Sequence, residues 1–435
     1  MKTIARNDYL NALVARRQNG QVKVVTGIRR CGKSYLLKTI FRKWLLREAG
    51  VKPQNILSIE LDDNDWLRCR NPLELEKTIT NWKTARGKSA KCTVFIDEIQ
   101  LCEQVANPYL PEGKKISFYD ALNGLLHLAN LDVYVTGSNS KMLSTDILTE
   151  FRGRGDEIRL HPLSFSEYFN ATGGDRRDAL DRYLRFGGMP FTLAQPDDAS
   201  REQYLKNLFA EVYLKDIIER KHIVHVDVLN HVTDFLCSGI GSLTNPNNIA
   251  NSLRTTYGYD VSRPTVVAYV DHLKDAFLFS EARRYDVKGK SYFDYPSKYY
   301  CEDVGLRNAR TDFRHQEMTH LMENVIYGEL RRRGYSVDVG VVYSYAQSAR
   351  GNSVRRPHEI DFVVNKGGER VYIQSAFAIP DGDDAKRTSE FKPFSLTGDS
   401  FRKIIIRQDI GLRFFDGSGI LNINLADFLL DSTVV

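Results

Sequence analysis

The segment GIRRCGKS, Gly27 to Ser34, restricts the fold of this chain more than any other part of the sequence. It matches the pattern G-x-x-x-x-G-K-[ST] at every fixed position. An apolar segment rich in β-branched residues, Val22 to Thr26, precedes it, and apolar residues at helical spacing follow it. A strand, a glycine-rich loop and a helix in this order predict a phosphate-binding loop within an α/β domain.

The residue types in this loop suit a nucleotide. Gly27 and Gly32 let the backbone bend so that successive amide N–H groups face the phosphates, and the helix N-terminus adds its positive dipole end. Lys33 is expected to contact the β- and γ-phosphates of ATP, and Ser34 to bind Mg²⁺. The residues expected to contact the nucleotide are Gly27, Ile28, Arg29, Arg30, Cys31, Gly32, Lys33, Ser34 and Tyr35.

The segment KCTVFIDEIQ supplies the acidic strand end that such a site requires. Its apolar residues are followed directly by Asp97 and Glu98. We predict that Asp97 is the outer-sphere partner of Mg²⁺ and that Glu98 positions or deprotonates the attacking water. An acidic pair after an apolar strand is a weak signal by itself, and the phosphate loop upstream gives it this meaning.

A third apolar segment, LDVYVTGSNS, ends in the polar residues Thr136, Ser138 and Asn139. In a parallel sheet, ligands bind at the carboxyl ends of the strands, so this tip is expected to point at the γ-phosphate. Asn139 or Ser138 is the candidate for that contact, and a plain turn is the competing interpretation.

The runs GIRRCGKSYLL, FIDEIQ, TGSNS, FRGRGDEIRLHPLSFSEYF and RFGGMP together resemble the prokaryotic AAA-type ATPases that carry a fused C-terminal domain of unknown function. The resemblance covers essentially the whole chain. It implies that Asn139, or Ser138, is the sensor-1 residue and that Arg154, with Arg152 as the alternate, is an arginine finger. A solvated loop charge is the competing interpretation of either arginine. The resemblance also implies a helical lid, in which Gly187 and Gly188 are expected to form a hinge.

At 435 residues the chain is too long for one ordinary hydrophobic core. The predicted fold class is α/β. We expect an AAA-type P-loop NTPase core over residues 1–165, a helical lid over 166–225, a winged-helix domain over 226–305 and a restriction-endonuclease-like α/β domain over 306–435.

The winged-helix prediction depends on three helical patterns followed by two strand-like segments. The helical patterns are VLNHVTDFLCSGIG, NPNNIANSLRTTYG and VSRPTVVAYVDHLKDAFLF, and the expected hairpin is formed by FLFSEARRY and SYFDYPSKYYCED. The third helix would enter a DNA groove. Between Arg254 and Lys298 there are eight basic and six acidic residues, so a module for protein docking or interdomain packing is an equal alternative.

In the last segment, the order helix, strand, strand, strand resembles the PD-(D/E)xK nuclease core. Glu323 and Asp361 match the helix acid and the strand acid of that core. Gln374, Ser375 and Ala376 stand where it has E-x-K, so one carboxylate ligand and the lysine that steadies the attacking water are missing. We therefore expect a nuclease-like fold without nuclease activity.

Two functions from different classes follow from these features. The first is an ATPase that couples the binding and hydrolysis of Mg²⁺–ATP to conformational change and acts on or near DNA. The second is a nucleotide-gated switch or scaffold whose partner is a protein. Oligomerisation is compatible with either function.

Composition restricts the location of the protein. No segment approaches the ~20 uninterrupted apolar residues that a membrane span needs, and the first residues lack an apolar export signal. The six cysteines show no paired CxxC spacing, so we expect reduced, structural thiols. A cytoplasmic protein with no membrane partner is the expectation.

Overall fold

A computed structural model describes residues 3–108, 113–137, 155–314, 317–347, 353–380 and 382–435. The chain divides into two compact units. Unit 1 comprises Met1–His161 and Asp275–Phe277, and unit 2 comprises Pro162–Lys274 and Leu278–Val435.

Unit 1 is built on a five-stranded sheet. Its strands are β1 Val22–Thr26, β2 Ile56–Glu60, β3 Cys92–Asp97, β4 Leu131–Thr136 and β5 Gly155–Arg159. Their spatial order is β2-β3-β4-β1-β5, and every neighbouring pair is parallel. All residues of β1 and β3 are buried, as expected for central strands of a parallel sheet that is covered on both faces. The predicted α/β core with a parallel sheet is confirmed.

Helices connect these strands. They are α1 Asn7–Ala15, α2 with the parts Lys33–Tyr35, Leu36–Phe41 and Arg42–Arg47, α3 Pro72–Thr84 and α4 Phe118–Leu125. The middle part of α2 is wound as a π-helix. Shorter elements are the 3₁₀ turns Pro53–Asn55, Asn64–Arg70 and Ile99–Leu101 and an antiparallel ribbon of Val105–Ala106 with Lys115–Ile116. Leu75 and Ile79 of α3 and Leu122 of α4 pack against Val94 and Val135 of the sheet.

A buried ion pair fixes the amino-terminal ends of β1 and β4. The ammonium of Lys23 contacts the carboxylate of Asp132, and each side chain is only 1% exposed. Tyr134 donates a hydrogen bond of 2.9 Å from its hydroxyl to Asp132 Oδ2, and the Gln18 amide donates to the same oxygen at 3.1 Å. An ion pair therefore holds β1 and β4 together at this end. The polar groups described below lie at the opposite, carboxyl ends of the strands.

The part of unit 2 that begins after His161 is helical. Its elements are α5 Phe165–Thr172, α6 Arg176–Phe186, the 3₁₀ turn Pro190–Ala194, α7 with the parts Asp198–Asn207, Leu208–Leu214 and Lys215–Lys221, α8 Val226–Ser238, α9 Pro246–Tyr257 and α10 Arg263–Asp275. Several helices begin at side chains that cap them: Ser164 and Glu167 form a capping box at α5, and Asn245 caps α9.

Strands dominate the remainder of unit 2. Its elements are β6 Phe279–Ala282, β7 Arg284–Asp286, β8 Ser291–Tyr292, β9 Lys298–Cys301, α11 Val304–Arg310, α12 Met318–Arg332, β10 Ser336–Gln347, β11 Ser353–Lys366, β12 Glu369–Ala376, α13 Asp384–Ser395, β13 Arg402–Arg407, β14 Phe414–Phe415, β15 Leu421–Asn424 and α14 Leu425–Leu430. Eight strands form one mixed sheet in the order β8-β7-β10-β11-β12-β13-β15-β14.

The two strand-like segments pair with each other in antiparallel fashion, as expected for a hairpin, but their two ladders belong to different sheets. β6 pairs with β9 in an antiparallel ribbon, from Phe279↔Cys301 to Ala282↔Lys298. β7 pairs with β8 and also runs parallel to β10, which places β7 and β8 in the eight-stranded sheet. The segment FLFSEARRY therefore supplies one strand to each sheet.

The helix α11 is almost completely buried within unit 2. Asp303 caps it by accepting a hydrogen bond of 3.1 Å from the Leu306 amide, and it also accepts one of 2.6 Å from the Gly188 amide. A Cβ on Gly188 would lie 2.1 Å from the Leu163 carbonyl oxygen, and one on Gly187 would meet the Asp303 carboxylate. Gly187 and Gly188 therefore permit close packing, and their role as a hinge stays a prediction.

No helix in the described ranges is both long enough and apolar enough to cross a membrane.

Candidate functional site

The phosphate loop connects the carboxyl end of β1 to the N-terminus of α2. Gly27 has φ +135° and Gly32 has φ +103°, values that residues with a side chain rarely adopt. A Cβ on Gly27 would also lie 2.1 Å from the carbonyl oxygen of Leu160. Both fixed glycines of the motif are thus required by the backbone itself.

The remaining loop residues differ in exposure. Ile28 and Cys31 are buried, and the Cys31 thiol lies 3.5 Å from the Leu160 carbonyl oxygen. Arg29 is half-buried, whereas Arg30 and Tyr35 are exposed at the start of α2. Ile28 and Cys31 therefore contribute packing, and only their backbone groups can face a nucleotide.

Lys33 lies back over its own loop. Its ammonium donates hydrogen bonds to the carbonyl oxygens of Gly27, at 2.8 Å, and Ile28, at 3.1 Å. The side chain is 95% buried. The Lys33 ammonium is therefore held against the first residues of the phosphate loop.

Ser34 and Asp97 face each other at the carboxyl ends of the strands. The Ser34 hydroxyl donates a hydrogen bond of 3.0 Å to Asp97 Oδ1, and the Thr136 hydroxyl donates to the same oxygen. The residues come from α2, β3 and β4, which the parallel sheet brings to one edge. The structure therefore brings together the two residues that the sequence predicted to hold Mg²⁺.

The other oxygen of Asp97 is bound by a lysine that sequence reasoning missed. Lys38 Nζ lies 2.6 Å from Asp97 Oδ2 and 2.8 Å from Glu60 Oε2. Glu60 ends β2 directly opposite Asp97 in the register of the two strands. Two signals were present in the sequence: Lys38 follows Ser34 by one helical turn, and Glu60 ends an apolar strand.

The surroundings of Asp97 favour its charged form. Burial by itself raises the pKa of a carboxyl group, but hydrogen bonds from Lys38, Thr136 and Ser34 outweigh that effect and lower the pKa of Asp97. Burial lowers the pKa of Lys38 in the same way, and its bonds to Asp97 and Glu60 reverse the shift and raise it. The site therefore presents an ionised carboxylate next to a serine hydroxyl.

Glu98 occupies a special backbone position. It has φ +53° and ψ +49°, which is left-handed and uncommon for a glutamate. Its amide donates a hydrogen bond of 3.1 Å to Thr136 Oγ1, and its carboxylate accepts one from the Gln100 side chain. The half-buried Glu98 is thus a second carboxylate, next in sequence to Asp97 and bound by Gln100 instead of by Lys38.

Four residues of the predicted site, Ser138, Asn139, Arg152 and Arg154, lie outside the described residues. Their assigned roles stay predictions.

The residues present fit a Mg²⁺–nucleotide. The loop offers backbone amides at a helix N-terminus, a lysine ammonium, and a serine hydroxyl paired with an ionised aspartate, which are the groups that a triphosphate and a hard dication require. Of these, the 3.0 Å contact between Ser34 and Asp97 most directly marks where a cation would be held.

A second cluster of charged residues lies within unit 2. Lys298 Nζ lies 2.8 Å from Glu323 Oε1, 2.7 Å from Glu359 Oε1 and 3.5 Å from Asp361 Oδ1. Burial raises the pKa of Asp361, although the Lys298 ammonium opposes the shift. The structure thus brings Glu323 and Asp361 together, as predicted from the sequence, but it adds a lysine and a third acid that were not foreseen.

Two segments of the chain match known family models. Residues 19–169 match the family model of an AAA domain, and residues 177–317 match that of a domain of unknown function. An uncharacterized protein of Haemophilus influenzae is 32% identical over 408 residues, which are 93% of this chain and 93% of that protein. An uncharacterized protein of Methanocaldococcus jannaschii is 25% identical over 389 residues, 86% of this chain and 78% of that protein.

The solved Walker-type ATPase of Pyrococcus abyssi is similar with a TM-score of 0.48 and 16% identity, covering 71% of this chain and 96% of that chain.

Proposed function

From the premise that this chain belongs to one family with the Haemophilus influenzae protein and that its residues 19–169 match an AAA domain, we propose that it binds ATP with Mg²⁺ and hydrolyses it. The proposal is carried by the contact of 3.0 Å between Ser34 and Asp97 beside Lys33. A hydroxyl and an ionised carboxylate at the end of a phosphate loop form a pair that can hold a divalent cation on a nucleotide.

The chain's own residues take distinct roles in this proposal. Lys33 exchanges the Gly27 and Ile28 carbonyl oxygens for phosphate oxygens, and the loop amides orient the triphosphate. Ser34 and Asp97 would hold Mg²⁺, and the ion would supply the charge that neutralises the phosphates. Glu98 orients the attacking water and accepts its proton.

Two further residues complete the proposed site. Asn139 contacts the γ-phosphate, and Arg154, or Arg152, stabilises the charge that develops during transfer. An arginine supplied by a neighbouring subunit would make turnover, but not ATP affinity, depend on oligomerisation.

The first test compares ATP binding and ATP turnover in two variants. Lys33→Ala is expected to abolish nucleotide binding because the phosphates lose their cation. Glu98→Gln is expected to bind ATP normally and to hydrolyse it at least about 100-fold more slowly, because the amide cannot accept a proton. Calorimetry gives the affinity and phosphate release gives the rate. Normal turnover by Glu98→Gln would remove Glu98 from the mechanism.

We propose further that DNA is the partner. The observation that favours it is an arm formed by residues 339–347 of β10 and 353–358 of β11, which contain Arg355 and Arg356 and no acidic residue. Tyr345 on this arm is 71% exposed. Exposed arginines and an aromatic ring on a two-stranded ribbon suit contacts to phosphates and to unstacked bases.

The proposed domains suit the same partner. A winged helix over 226–305 would add a groove-binding helix, and a nuclease-like domain over 306–435 without activity would bind DNA without cutting it. ATP turnover measured with and without single- and double-stranded DNA tests this part. A rise in turnover with DNA supports it. An unchanged rate, together with a protein captured in one nucleotide state only, would favour the switch or scaffold instead.

A further inference from the structure

The charged cluster of unit 2 is asymmetric: one ammonium faces three carboxyl groups. Lys298 is the first residue of β9, Glu323 lies in α12, and Glu359 and Asp361 lie in β11. Only the Glu359 side chain retains substantial exposure, at 33%, whereas that of Lys298 is 4% exposed. A buried cluster of this composition needs a cation at its centre, because isolated carboxylates are costly to bury.

Several of the oxygens that could ligate a metal ion already accept hydrogen bonds within the chain. Glu323 Oε1 accepts hydrogen bonds from Lys298 and, at 2.6 Å, from the Tyr300 hydroxyl. Asp361 Oδ2 accepts one of 2.8 Å from the Ser375 amide, and Gln374 Oε1 accepts one of 3.3 Å from the Asp361 amide.

A divalent ion of the kind that a nuclease-like core implies does not fit this arrangement. The ion would need oxygens that now accept hydrogen bonds from Lys298, and its charge would be placed against the ammonium. Within the described ranges, no group of three or more His, Cys, Asp or Glu is arranged so that it could hold a metal ion.

We infer that the ammonium of Lys298 is a permanent internal cation that takes the place of a metal ion between Glu323, Glu359 and Asp361. It joins the β6–β9 ribbon to α12 and the eight-stranded sheet, so that this part of unit 2 assembles without Mg²⁺ or Mn²⁺. This inference does not depend on the proposed ATPase function.

The test is a calorimetric titration of the nucleotide-free, full-length protein with Mn²⁺. The wild type and Asp361→Asn are expected to bind Mn²⁺ identically, since the cluster holds no ion. Lys298→Ala is expected to gain an additional Mn²⁺ equivalent, because the carboxylates then lack their cation, and Lys298→Ala/Asp361→Asn is expected to lose it again.

Two results would overturn the inference: Mn²⁺ binding by the wild type that Asp361→Asn removes, or a folded Lys298→Ala variant that gains no Mn²⁺ site. If Lys298→Ala does not fold, the comparison of Mn²⁺ binding by the wild type and by Asp361→Asn still tests the inference. Equal binding by the wild type and Asp361→Asn then supports the internal cation, and a loss in Asp361→Asn contradicts it.

Discussion

Lys38 gives the nucleotide site a charge arrangement that the phosphate loop motif does not contain. It is shared between Asp97 and Glu60, which face each other across two parallel strands. Without a cation between them, the two carboxylates would repel, and Asp97 would lose one of the groups that fix its orientation towards Ser34. Lys38 therefore acts through Asp97, as a positioning residue.

Replacement of Lys38 by Met is expected to lower the ATP turnover number about tenfold while the dissociation constant for ATP changes little, since misorientation of a catalytic group affects mainly the chemical step. Lys38→Arg retains a cation and is expected to recover most of the rate. Steady-state turnover and equilibrium nucleotide binding distinguish the two quantities. An equal loss of affinity and rate in Lys38→Met would show that the residue is merely structural.

Gly27 is the loop residue with the strictest backbone requirement. Gly27→Ala is expected to lower the free energy of unfolding of unit 1 by about 3 kcal/mol or more, because the Cβ would collide with the Leu160 carbonyl oxygen at an unfavourable φ. Gly328 in α12 is the matched control: a Cβ there meets nothing within 4 Å, and Gly328→Ala is expected to stabilise the helix by up to roughly 1 kcal/mol. Urea denaturation gives the free energy of unfolding of each variant. Equal changes in Gly27→Ala and Gly328→Ala would contradict the proposed clash at Gly27.

Residues that lie in a local sequence pattern could be predicted, whereas residues that meet only through long-range contacts could not. Gly27, Lys33 and Ser34 form one contiguous motif, and Asp97 follows an apolar strand, so local patterns reveal them. Lys298 meets Glu323 and Asp361 across 25 and 63 residues. Nothing in the segment SYFDYPSKYYCED marks its lysine as buried, because only the pairing of β9 with β6 places it there.

At the scale of single elements, β1 and β4 are held together at their amino-terminal ends by Lys23 and Asp132. Asp132→Asn is expected to lower the free energy of unfolding by about 3 kcal/mol, because it leaves a buried ammonium without its counter-charge. Lys23→Met/Asp132→Leu removes both charges and is expected to cost clearly less. Urea denaturation of the three proteins gives the comparison, and ATP affinity should stay unchanged, since the nucleotide site lies at the opposite strand ends. A double variant as unstable as the single one would contradict this account.

The cap of α11 predicts a dependence of stability on pH. Burial raises the pKa of Asp303 to about 6, above its ordinary value of about 3.9, although three backbone amides oppose the shift. The folded state therefore holds the proton more tightly than the unfolded chain. The contribution of Asp303 to the free energy of unfolding is greatest below pH 4 and is lost as the pH rises to about 6.

Asp303→Asn is expected to remove this part of the pH dependence, since the amide does not titrate. Denaturant unfolding of both proteins between pH 4.5 and 7, about the range of the raised pKa, measures it. Parallel curves for the two proteins would show that Asp303 titrates normally.

The order of helices and strands along the chain could be predicted better than the pairing of the strands. Apolar segments that end in glycine or polar residues indicated β1, β3 and β4 of unit 1, whereas no pattern indicated β5. The split of FLFSEARRY between two sheets could not be foreseen: β7 pairs with β10, which lies some 50 residues further along the chain, and only tertiary contacts select that pairing.

At the scale of the whole molecule, the arm provides a test of DNA binding by its salt dependence. Arg355→Ala/Arg356→Ala is expected to reduce the slope of log K against log salt by about 2, since each arginine that contacts a phosphate releases about one counterion. Arg42→Ala/Lys43→Ala, which removes two exposed charges from α2, is the matched control and should leave the slope unchanged. Fluorescence anisotropy with labelled DNA gives the slopes, and equal slopes for both variants would exclude the arm.

All six cysteines are buried and retain their thiols, and they are distributed over both units, with four in unit 1 and two in unit 2. Burial raises the pKa of Cys102 and Cys237 to about 12, so the reactive thiolate form is rare while the chain stays folded. An alkylating dye can therefore modify only molecules that have opened. The positions labelled over time would then show, by mass spectrometry, which unit opens first and how strongly ATP delays its opening.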